Sequence, residues 1–417
     1  MNNKISKNAF FNMIYQGLNV IFPLLSSLYV ARILIPELIG RVSFAQNIVF
    51  YFISFASLGI NTYGIREIAK CNNDKILLKK TTSEILKINI ISNTIFCIIY
   101  FTFIFITPFF AKERLLYFIV GLQLIFNSIN TDWFFGGTEN YAYVMKRSFI
   151  IKILSFIALI LFVKEESHYV IYALINSLAL GLNYFFNIYK IKNYINLFID
   201  NKYLKERLKP IFVFFATLLS QRLYMQVDTT MLGIISGERA VGLYTYPSRI
   251  MLLSTSCITA ISAVILAPLV KAYKDKNLLE FKNIYRKCII IILIFSIPLT
   301  IIYLFKADFI IKLLFNEKYY DSINTLRILS PQVLLLSLED IYAARLLIAI
   351  EKEKWILFTT SSGAIINVLL NFFLIKKYAQ DGVALASTIT IFFIFILEVV
   401  IYYISIHKIT NKNKFII

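Results

Sequence analysis

Charged residues are scarce in this sequence: they make up 16% of its 417 residues, whereas apolar residues make up 59%. A water-soluble core of that length could not bury so much apolar surface. The composition therefore excludes a cytosolic enzyme and a disordered tail. The four cysteines lie far apart without metal-ligand spacing, which excludes a secreted disulfide scaffold and predicts no metal site. The sequence also lacks the GxxxxGK(S/T), GxGxxG and HExxH motifs, so we expect no cofactor.

Long apolar runs instead fill nearly the whole chain. A helix that crosses a bilayer needs about 20 apolar residues, and most of these runs reach that length. We therefore predict an all-α polytopic membrane protein with about twelve spans. They lie near residues 9–31, 42–63, 85–109, 115–135, 148–163, 168–189, 210–235, 242–269, 288–305, 323–349, 355–375 and 382–406.

The 43 Lys and Arg residues, against 24 Asp and Glu, give a net charge of +19, and their distribution along the chain indicates the orientation. If the N-terminus is cytoplasmic, well over half of these cations fall on inner connectors. The positive-inside rule therefore predicts that both termini are cytoplasmic. Three long basic connectors, residues 71–87, 193–209 and 271–287, are predicted to be amphipathic helices on anionic membrane lipid. Nucleic acid is not an expected partner.

The first and seventh spans share one polar pattern, which predicts a duplicated architecture. In the first span the pattern comprises Asn12, Gln16, Asn19 and Pro23, and in the seventh it comprises Thr217, Gln221, Tyr224 and Asp228. The connectors that follow these spans also correspond, since Glu37 and Gly40 in one match Glu238 and Gly242 in the other. The constant offset between the two sets favours two parallel six-helix lobes. We predict an N-terminal lobe of residues 1–195 and a C-terminal lobe of residues 196–417, with the boundary in the basic connector 190–209.

Several spans carry polar side chains at regular spacing. In the second span Asn47, Ser54 and Asn61 recur every seventh residue. Such stripes have two explanations. The amides and hydroxyls either form hydrogen bonds between helices or line a hydrated cavity between the halves. Prolines interrupt several spans, and broken helices usually line cavities, which favours the second explanation.

Ionisable residues inside the predicted spans are the main functional candidates, because burying a charge in the membrane is costly. The eight are Asp132, Arg222, Asp228, Arg249, Glu339, Asp340, Arg345 and Glu398. All three cations are arginines, whose planar guanidinium binds phosphate in a bidentate way, so they favour an anionic substrate group. We expect the partners of Arg345 on other spans. The acids Asp132, Asp228, Glu339, Asp340 and Glu398 are candidates for charge pairing or for H⁺ or Na⁺ coupling.

Three segments resemble a known family: LGINTYGIREIAK from Leu58, NTDWFFGGTENYAYVMKRSFIIK over residues 130–152, and DTTMLGIISGERAVGLYTYPSRI over residues 228–250. They are similar to Wzx-type O-antigen and capsular polysaccharide flippases of the multidrug/oligosaccharidyl-lipid/polysaccharide (MOP) exporter superfamily. The most specific part is the combination of Asp132, Trp133, Gly137 and Glu139. Gly136 stands where many members have Gln.

The resemblance implies two six-helix lobes around a central cavity that opens alternately to either side of the bacterial plasma (inner) membrane. It implies transport of an undecaprenyl-diphosphate-linked oligosaccharide for O-antigen, lipopolysaccharide or capsule synthesis, with no catalytic step. A polysaccharide polymerase and a chain-length regulator are candidate partners. The predicted substrate contacts are Arg222, Arg249, Arg345, Arg32, Arg41 and Arg66 for the diphosphate and Gln16, Asn19, Asn47, Gln221 and Gln226 for the sugars.

Two other functions stay open. The first is a cation-coupled multidrug antiporter of the same fold, because five acids inside the spans are compatible with a cationic substrate. The second, of a different class, is a membrane-embedded polysaccharide polymerase or glycosyltransferase. Such an enzyme should have a large external loop, whereas the longest predicted external connector, residues 306–322, is short.

Overall fold

The computed structural model describes residues 2–71, 74–196 and 204–412, and in this part of the chain every regular element is helical. The helices are α1 (Asn2–Ile33), α2 (Pro36–Ala56), α3 (Ile60–Lys70), α4 (Lys75–Ile106), α5 (Arg114–Asn127), α6 (Asp132–Gly137), α7 (Tyr141–Phe162), α8 (Tyr169–Ile191), α9 (Leu204–Ser262), α10 (Leu266–Lys274), α11 (Leu278–Phe305), α12 (Ala307–Leu314), α13 (Ser322–Leu329), α14 (Pro331–Asp340) and α15 (Glu353–Lys412). A π-helix, Ile341–Leu347, continues α14.

The distribution of side chains is that of a membrane protein. Helix α4 buries Asn89, Ser92 and Asn93, while Ile95 and Ile98 on the same helix are 51% and 64% exposed. Polar groups inside and large apolar groups outside are stable only when the outer surface faces lipid rather than water. The chain is therefore an integral membrane protein.

Six helical segments of the described residues are long and apolar enough to cross a membrane, judged by length and composition. They are Pro36–Ala56, Lys75–Ile106, Glu166–Tyr194, Gln226–Lys274, Leu278–Phe305 and Glu353–Lys408. Two predicted spans fall in α9 and two in α15. Helix α9 bends at Gly237 (φ 82°), and α15 bends at Ala379 (φ 47°). A positive φ interrupts the helical geometry, so each long helix consists of two segments that change direction at that residue.

Some predicted boundaries were wrong. The run 42–63 is not one span, because Leu58 and Gly59 adopt positive φ and end α2 before α3 begins. The run 115–135 breaks between α5 and α6. The connector 71–87 is not a separate surface helix, because α4 begins at Lys75 and continues into the apolar run. Residues 81–86 of α4 are buried, so this segment contributes to the protein interior.

The chain forms two compact units. The first comprises Met1–Leu34 and Arg41–Gln226, and the second comprises Ile35–Gly40 and Val227–Ile417. In the first unit α1 packs on α7, α5 on α8 and α3 on α6. In the second unit α14 packs on α11 and α15, and α13 also packs on α15. The lobe boundary predicted at residues 195/196 stays a prediction, since it was placed by the sequence repeat rather than by packing.

Two glycines allow backbone to contact backbone within the second unit. A Cβ on Gly242 would overlap the Pro36 carbonyl oxygen, and a Cβ on Gly40 would overlap the Glu238 carbonyl oxygen. Only glycine permits such an approach. The beginning of α2 is thereby packed directly against the bend of α9.

Gly242→Ala is expected to destabilise the protein, because the added methyl group must displace main-chain atoms rather than a flexible side chain. Overpacking of this kind costs about 1–3 kcal/mol. Gly17→Ala is the matched control: Gly17 lies in helix α1 with nothing within 4 Å of an added Cβ. There the substitution should be neutral or stabilise by about 0.5–1 kcal/mol. Thermal unfolding in detergent measures both, and equal midpoints for the two variants would contradict the close approach.

Candidate functional site

A chain of buried asparagines shapes the break between α5 and α6 in the first unit. Asn127 Nδ2 donates to Asn93 Oδ1 (2.8 Å), and Asn93 Nδ2 donates to the Asn89 carbonyl (2.8 Å). Asn89 Nδ2 in turn donates to the Asn127 carbonyl (2.9 Å). These bonds satisfy carbonyl oxygens that the end of α5 leaves open. They hold the turn that presents Asp132.

Asp132 forms an ion pair in the interior of the first unit. The Arg147 guanidinium on α7 lies 3.2 Å from Asp132 Oδ1, and Asn187 Nδ2 on α8 donates to the same oxygen (2.8 Å). Arg147 also donates to Asn187 Oδ1. Ser148 donates to Asn183 (3.3 Å) beside them. We call Asp132, Arg147, Ser148, Asn183 and Asn187 the Asp132 cluster.

The residues around Asp132 that carry the family resemblance have a packing role. Trp133 is buried, and its indole N–H donates to the Asn130 carbonyl (3.0 Å). A Cβ on Gly64 of α3 would lie 2.8 Å from the Trp133 ring, and one on Gly137 would lie 2.6 Å from Ile68. These two glycines allow α3 and α6 to pack closely. Gly136 contributes to the same close packing, since a Cβ there would lie 2.9 Å from the Ile65 side chain.

Asp228 on α9 is the centre of a polar cluster in the second unit. Its Oδ1 accepts from Asn371 Nδ2 (2.7 Å), and its Oδ2 accepts from Ser387 Oγ (2.5 Å) and from the Tyr244 hydroxyl (3.4 Å). Asn371 Nδ2 also donates to Asn367 Oδ1 (3.1 Å). Within the described part of the chain Asp228 has no ion-pair partner. We call these five residues the Asp228 cluster.

An oxygen atom beside this carboxylate is buried without a hydrogen-bond partner among the described residues. It is Oδ1 of Asn371, whose Nδ2 donates to Asp228. Buried polar atoms are rarely left unpaired, because each costs about 1–3 kcal/mol. An uncompensated oxygen beside a carboxylate without an ion pair forms the kind of environment that a small cation or an ordered water can occupy.

Arg345 has a partner on its own helix, which corrects the expectation that its partners lie only on other spans. Its Nη2 lies 3.1 Å from Asp340 Oδ1, five residues earlier in the chain. The π-helix Ile341–Leu347 explains this pair, because its wider turn brings residues i and i+5 onto the same face. Ser262 accepts from Arg345 Nε (3.1 Å) and donates to Asp340 Oδ2.

The other predicted arginines differ in how their charges are balanced. Arg41 lies 2.8 Å from Glu113, and Arg66 lies 2.9 Å from Glu67. Arg249 lies over the Tyr246 ring at 5.9 Å and has no ion pair among the described residues. Arg32 is exposed at the end of α1. The side chain of Arg222 lies outside the described residues, as do those of Gln16 and Gln221.

Glu67 is held in its ionised form outside the membrane spans. Partial burial raises the pKa of Glu67, but hydrogen bonds from Lys70 and Arg66 and their positive charges outweigh burial, so its pKa lies below the ordinary value of 4.5. The Arg66 charge is thus already balanced by this carboxylate. Arg66 is consequently a weaker diphosphate candidate than Arg249.

The predicted amides occupy separate places. Asn19 lies within hydrogen-bonding reach of Tyr15 in α1. Asn47 is buried, and its Nδ2 donates to the Gln226 carbonyl (3.1 Å). This contact engages the backbone of Gln226 rather than its side chain. The contact is internal to the first unit and joins α2 to α9.

Comparison with known proteins identifies the family. A family model described as "Polysaccharide biosynthesis protein" matches residues 5–273, which is more than half of the chain. The chain belongs to this family. A second family model, MatE, matches residues 214–373.

Curated relatives cover nearly the whole chain. A protein of Escherichia coli (strain K12) named as an O-antigen transporter is 24% identical over 404 residues, which are 93% of this chain and 94% of that protein. The "Capsular polysaccharide biosynthesis protein CapF" of Staphylococcus aureus is 24% identical over 401 residues, with 93% and 96% covered.

Solved structures share the fold of this family member. A multidrug resistance MATE family transporter of the MOP superfamily in an inward-facing conformation superposes with a TM-score of 0.73 at 16% identity, covering 96% of this chain and 98% of the other. The lipid II flippase MurJ in an inward closed conformation gives 0.75 at 16% identity, with 94% and 87% covered. The all-α polytopic fold and the MOP membership that the motifs imply are confirmed.

Some residues of these clusters were not predicted. Arg147 was not a candidate, because it stands beside Lys146 in the connector before the predicted span 148–163, yet it is only 7% exposed. Glu84 was also placed in a connector, although it is fully buried and lies 2.6 Å from Arg207. The available signal was the alternation of these charges with apolar residues at helical spacing.

Arg207 belongs to a second buried network of the first unit. Besides Glu84, it donates to the Tyr63 hydroxyl (3.2 Å) and to Thr81 Oγ1 (3.3 Å). Burial lowers the pKa of Arg207, but the hydrogen bonds to Tyr63 and Glu84 and the Glu84 charge outweigh burial, so its pKa lies above the ordinary value. This permanent charge fixes the start of α9 to α3 and α4.

Proposed function

We propose that this protein is a flippase that moves undecaprenyl-diphosphate-linked oligosaccharide repeat units across the bacterial plasma membrane for synthesis of O-antigen or capsule. The observation that carries this proposal is the match to the polysaccharide biosynthesis protein family over residues 5–273. It is supported by two relatives named for O-antigen transport and capsular polysaccharide biosynthesis, each aligned over 93% of this chain. Both termini are cytoplasmic in this proposal, in keeping with the distribution of Lys and Arg.

The diphosphate of such a substrate requires a cation whose charge is available. Of the predicted arginines with described side chains, Arg345, Arg41 and Arg66 each lie in an ion pair with a carboxylate. Arg249 contacts an aromatic ring instead, and a ring does not neutralise the guanidinium. We therefore assign the diphosphate to Arg249, together with Arg222. Arginine is suited to this role because it remains charged when poorly hydrated and binds phosphate through two N–H groups.

Translocation in this proposal needs no covalent chemistry. The head group loses water when it enters the membrane, and arginine and amide groups replace the lost hydrogen bonds. Alternating access to the two membrane faces then releases it on the other side. The partners in this scheme are the lipid-linked oligosaccharide and membrane lipids, with a polymerase and a chain-length regulator acting on the product.

We assign cation coupling to Asp228. Its carboxylate has hydrogen-bond donors but no ion-pair partner in the described chain, and Oδ1 of Asn371 beside it has no hydrogen-bond partner among the described residues. A proton or Na⁺ supplies the missing positive charge. Carboxylate and amide oxygens are suitable ligands for Na⁺, and an unpaired acid inside a span is suitable for a proton.

Arg249→Ala is expected to reduce translocation about tenfold or more, since a charge-assisted bond to phosphate contributes roughly 1.5–3 kcal/mol. Arg249→Lys should retain an intermediate rate, because it keeps the charge but not the bidentate geometry. Proteoliposomes loaded with a fluorescent undecaprenyl-diphosphate oligosaccharide measure the rate through digestion by a glycosidase added outside.

Arg327→Ala is the matched control, because Arg327 is 43% exposed and lies 4.0 Å from Asp308. It should leave the rate unchanged. If Arg249→Ala transports at the wild-type rate, the assignment of Arg249 is wrong. If wild-type protein gives no digestion above protein-free vesicles, the flippase proposal itself fails.

A multidrug antiporter is the second candidate function, and the match of the MatE family model to residues 214–373 favours it. The same vesicles distinguish the two. An antiporter would move a fluorescent cationic dye against an imposed cation gradient and would leave the lipid-linked oligosaccharide on its original side. A flippase would give the opposite result.

A further inference from the structure

Glu398 is a fully buried acid in the second segment of α15, eleven residues beyond Ser387 of the Asp228 cluster. Its exposed fraction is 0%. Its Oε1 accepts from Thr359 Oγ1 (3.0 Å), and its Oε2 is buried with no hydrogen-bond partner among the described residues. An ionised carboxylate left with one neutral hydrogen bond in such a place would be very unstable.

The group that faces Glu398 from α14 is a second acid. Tyr342, one turn beyond Glu339, packs against Phe395 and Tyr402, which lie one turn before and one turn beyond Glu398. The two acids therefore lie on facing surfaces of the two helices, where their negative charges repel each other. Asp340, the next residue, adds a further negative charge near Glu339. The nearby cation Arg345 is already bound to Asp340 and Ser262.

Among the described residues, the other titratable groups shown around the two acids are tyrosines and a cysteine. Tyr342 of the π-helix and Tyr285 of α11 pack against Tyr402, which lies one turn beyond Glu398. Cys288 of α11 lies near Asp340 and Arg345, and Tyr403 follows on α15. None of these side chains supplies a positive charge to Glu398. The charge of the two facing acids must therefore be reduced in another way.

Two carboxyl groups that repel each other in a medium of low polarity do not both ionise, and the pair retains one proton that either group can carry. A proton on Glu398 would neutralise the carboxyl group whose Oε2 has no hydrogen-bond partner among the described residues. Proton binding adds one O–H bond on one carboxyl group, and release returns the same proton to water. We propose that Glu339 and Glu398 form a proton-binding site that is separate from the Asp228 cluster.

A buried polar row leads from this site towards the Asp228 cluster. Thr359, Gly363, Asn367 and Asn371 follow one another at every fourth position of α15, and hence on one helix face. A Cβ on Gly363 would overlap the Ile394 side chain of the second segment. Glu398 and Ser387 of that segment bond to the two ends of the row, through Thr359 and through Asp228. From Ser387 to Glu398 the helix rises roughly 16 Å.

The inference goes beyond the proposed function, because proton binding by the two acids requires neither a lipid-linked substrate nor translocation. Purified full-length protein in detergent is treated with dicyclohexylcarbodiimide, an apolar reagent that reacts with protonated carboxyl groups, and the modified residues are located by mass spectrometry. At neutral pH we expect labelling at Glu339 or Glu398. Asp381, which accepts hydrogen bonds from Asn324 and Thr325, serves as the control carboxylate and should stay unlabelled.

The variant Glu398→Gln separates a shared proton from two independent acids. Without the opposing charge Glu339 should ionise, so its labelling should fall at least severalfold. Infrared spectroscopy provides a readout that does not depend on access of the reagent: wild-type protein should show a protonated-carboxyl band that disappears with alkaline pH and is absent in Glu398→Gln. If that band is missing from wild-type protein, or if Glu339 labelling is unchanged in the variant, the proposal is wrong. A failure of the vesicle assay would defeat the flippase proposal and leave this result standing.

Discussion

Asp228→Asn is expected to abolish gradient-driven translocation. The substitution keeps the size of the side chain and one oxygen, but it removes the charge that the proposed cation requires. Losing about 3 kcal/mol of charge–cation interaction weakens cation binding roughly a hundredfold. The measurement is translocation in proteoliposomes under an imposed Na⁺ gradient and, separately, under an imposed proton gradient.

Ser387→Ala is the matched control for this variant. It removes one hydrogen bond, of 2.5 Å, and leaves the Asp228 charge in place. A hydrogen bond to a charged group contributes about 1.5–3 kcal/mol, so cation affinity should fall about tenfold or more, while a higher cation concentration should restore the maximal rate. If Asp228→Asn responds to both gradients as wild type does, Asp228 is not the coupling residue.

The second large effect concerns stability, and it should be asymmetric across the Asp132–Arg147 pair. The side chain of Arg147 is 5% exposed and that of Asp132 is 31% exposed. Asp132→Ala leaves a buried guanidinium without its carboxylate, and breaking a buried pair in this way costs about 3–5 kcal/mol. Arg147→Met leaves a carboxylate that is less deeply buried than the guanidinium, so it should cost less.

Thermal unfolding in detergent, together with the yield of monodisperse protein, measures this asymmetry. The double variant Asp132→Asn with Arg147→Met should be more stable than Asp132→Ala, because it leaves no uncompensated charge. The reverse order, with Arg147→Met the less stable single variant, would show that Asp132 rather than Arg147 carries the greater desolvation cost.

The helical membrane fold could be predicted from the sequence, because apolar runs and the distribution of charges are visible directly along the chain. Asp132 and Asp228 became candidates for the same reason, since an acid inside an apolar run is visible without knowledge of its partners, and their functional roles stay predictions. The partners of Asp228 were not predicted. Asn371 and Ser387 lie far from it along the chain, and amides or hydroxyls are common in membrane helices.

The ends of helices and the pairing of charges required the structure. The positive φ at Leu58 and Gly59, which ends α2, follows an apolar run that continues without interruption in the sequence. The Arg345–Asp340 pair depends on a π-helix, whose spacing differs from the 3.6-residue period on which the expectation was based. The lysines beside Arg147 and Glu84 in the sequence concealed the helical spacing that places both side chains in the interior.

The division of the chain bears on how such a protein could have arisen by duplication. Residues 35–40 make their contacts in the second unit, whereas the start of α9 makes its contacts in the first. Neither unit corresponds to one uninterrupted stretch of gene. If the two halves of an ancestral protein were separate polypeptides, they would have had to associate. Otherwise Gly242 would lack the Pro36 main chain against which it packs.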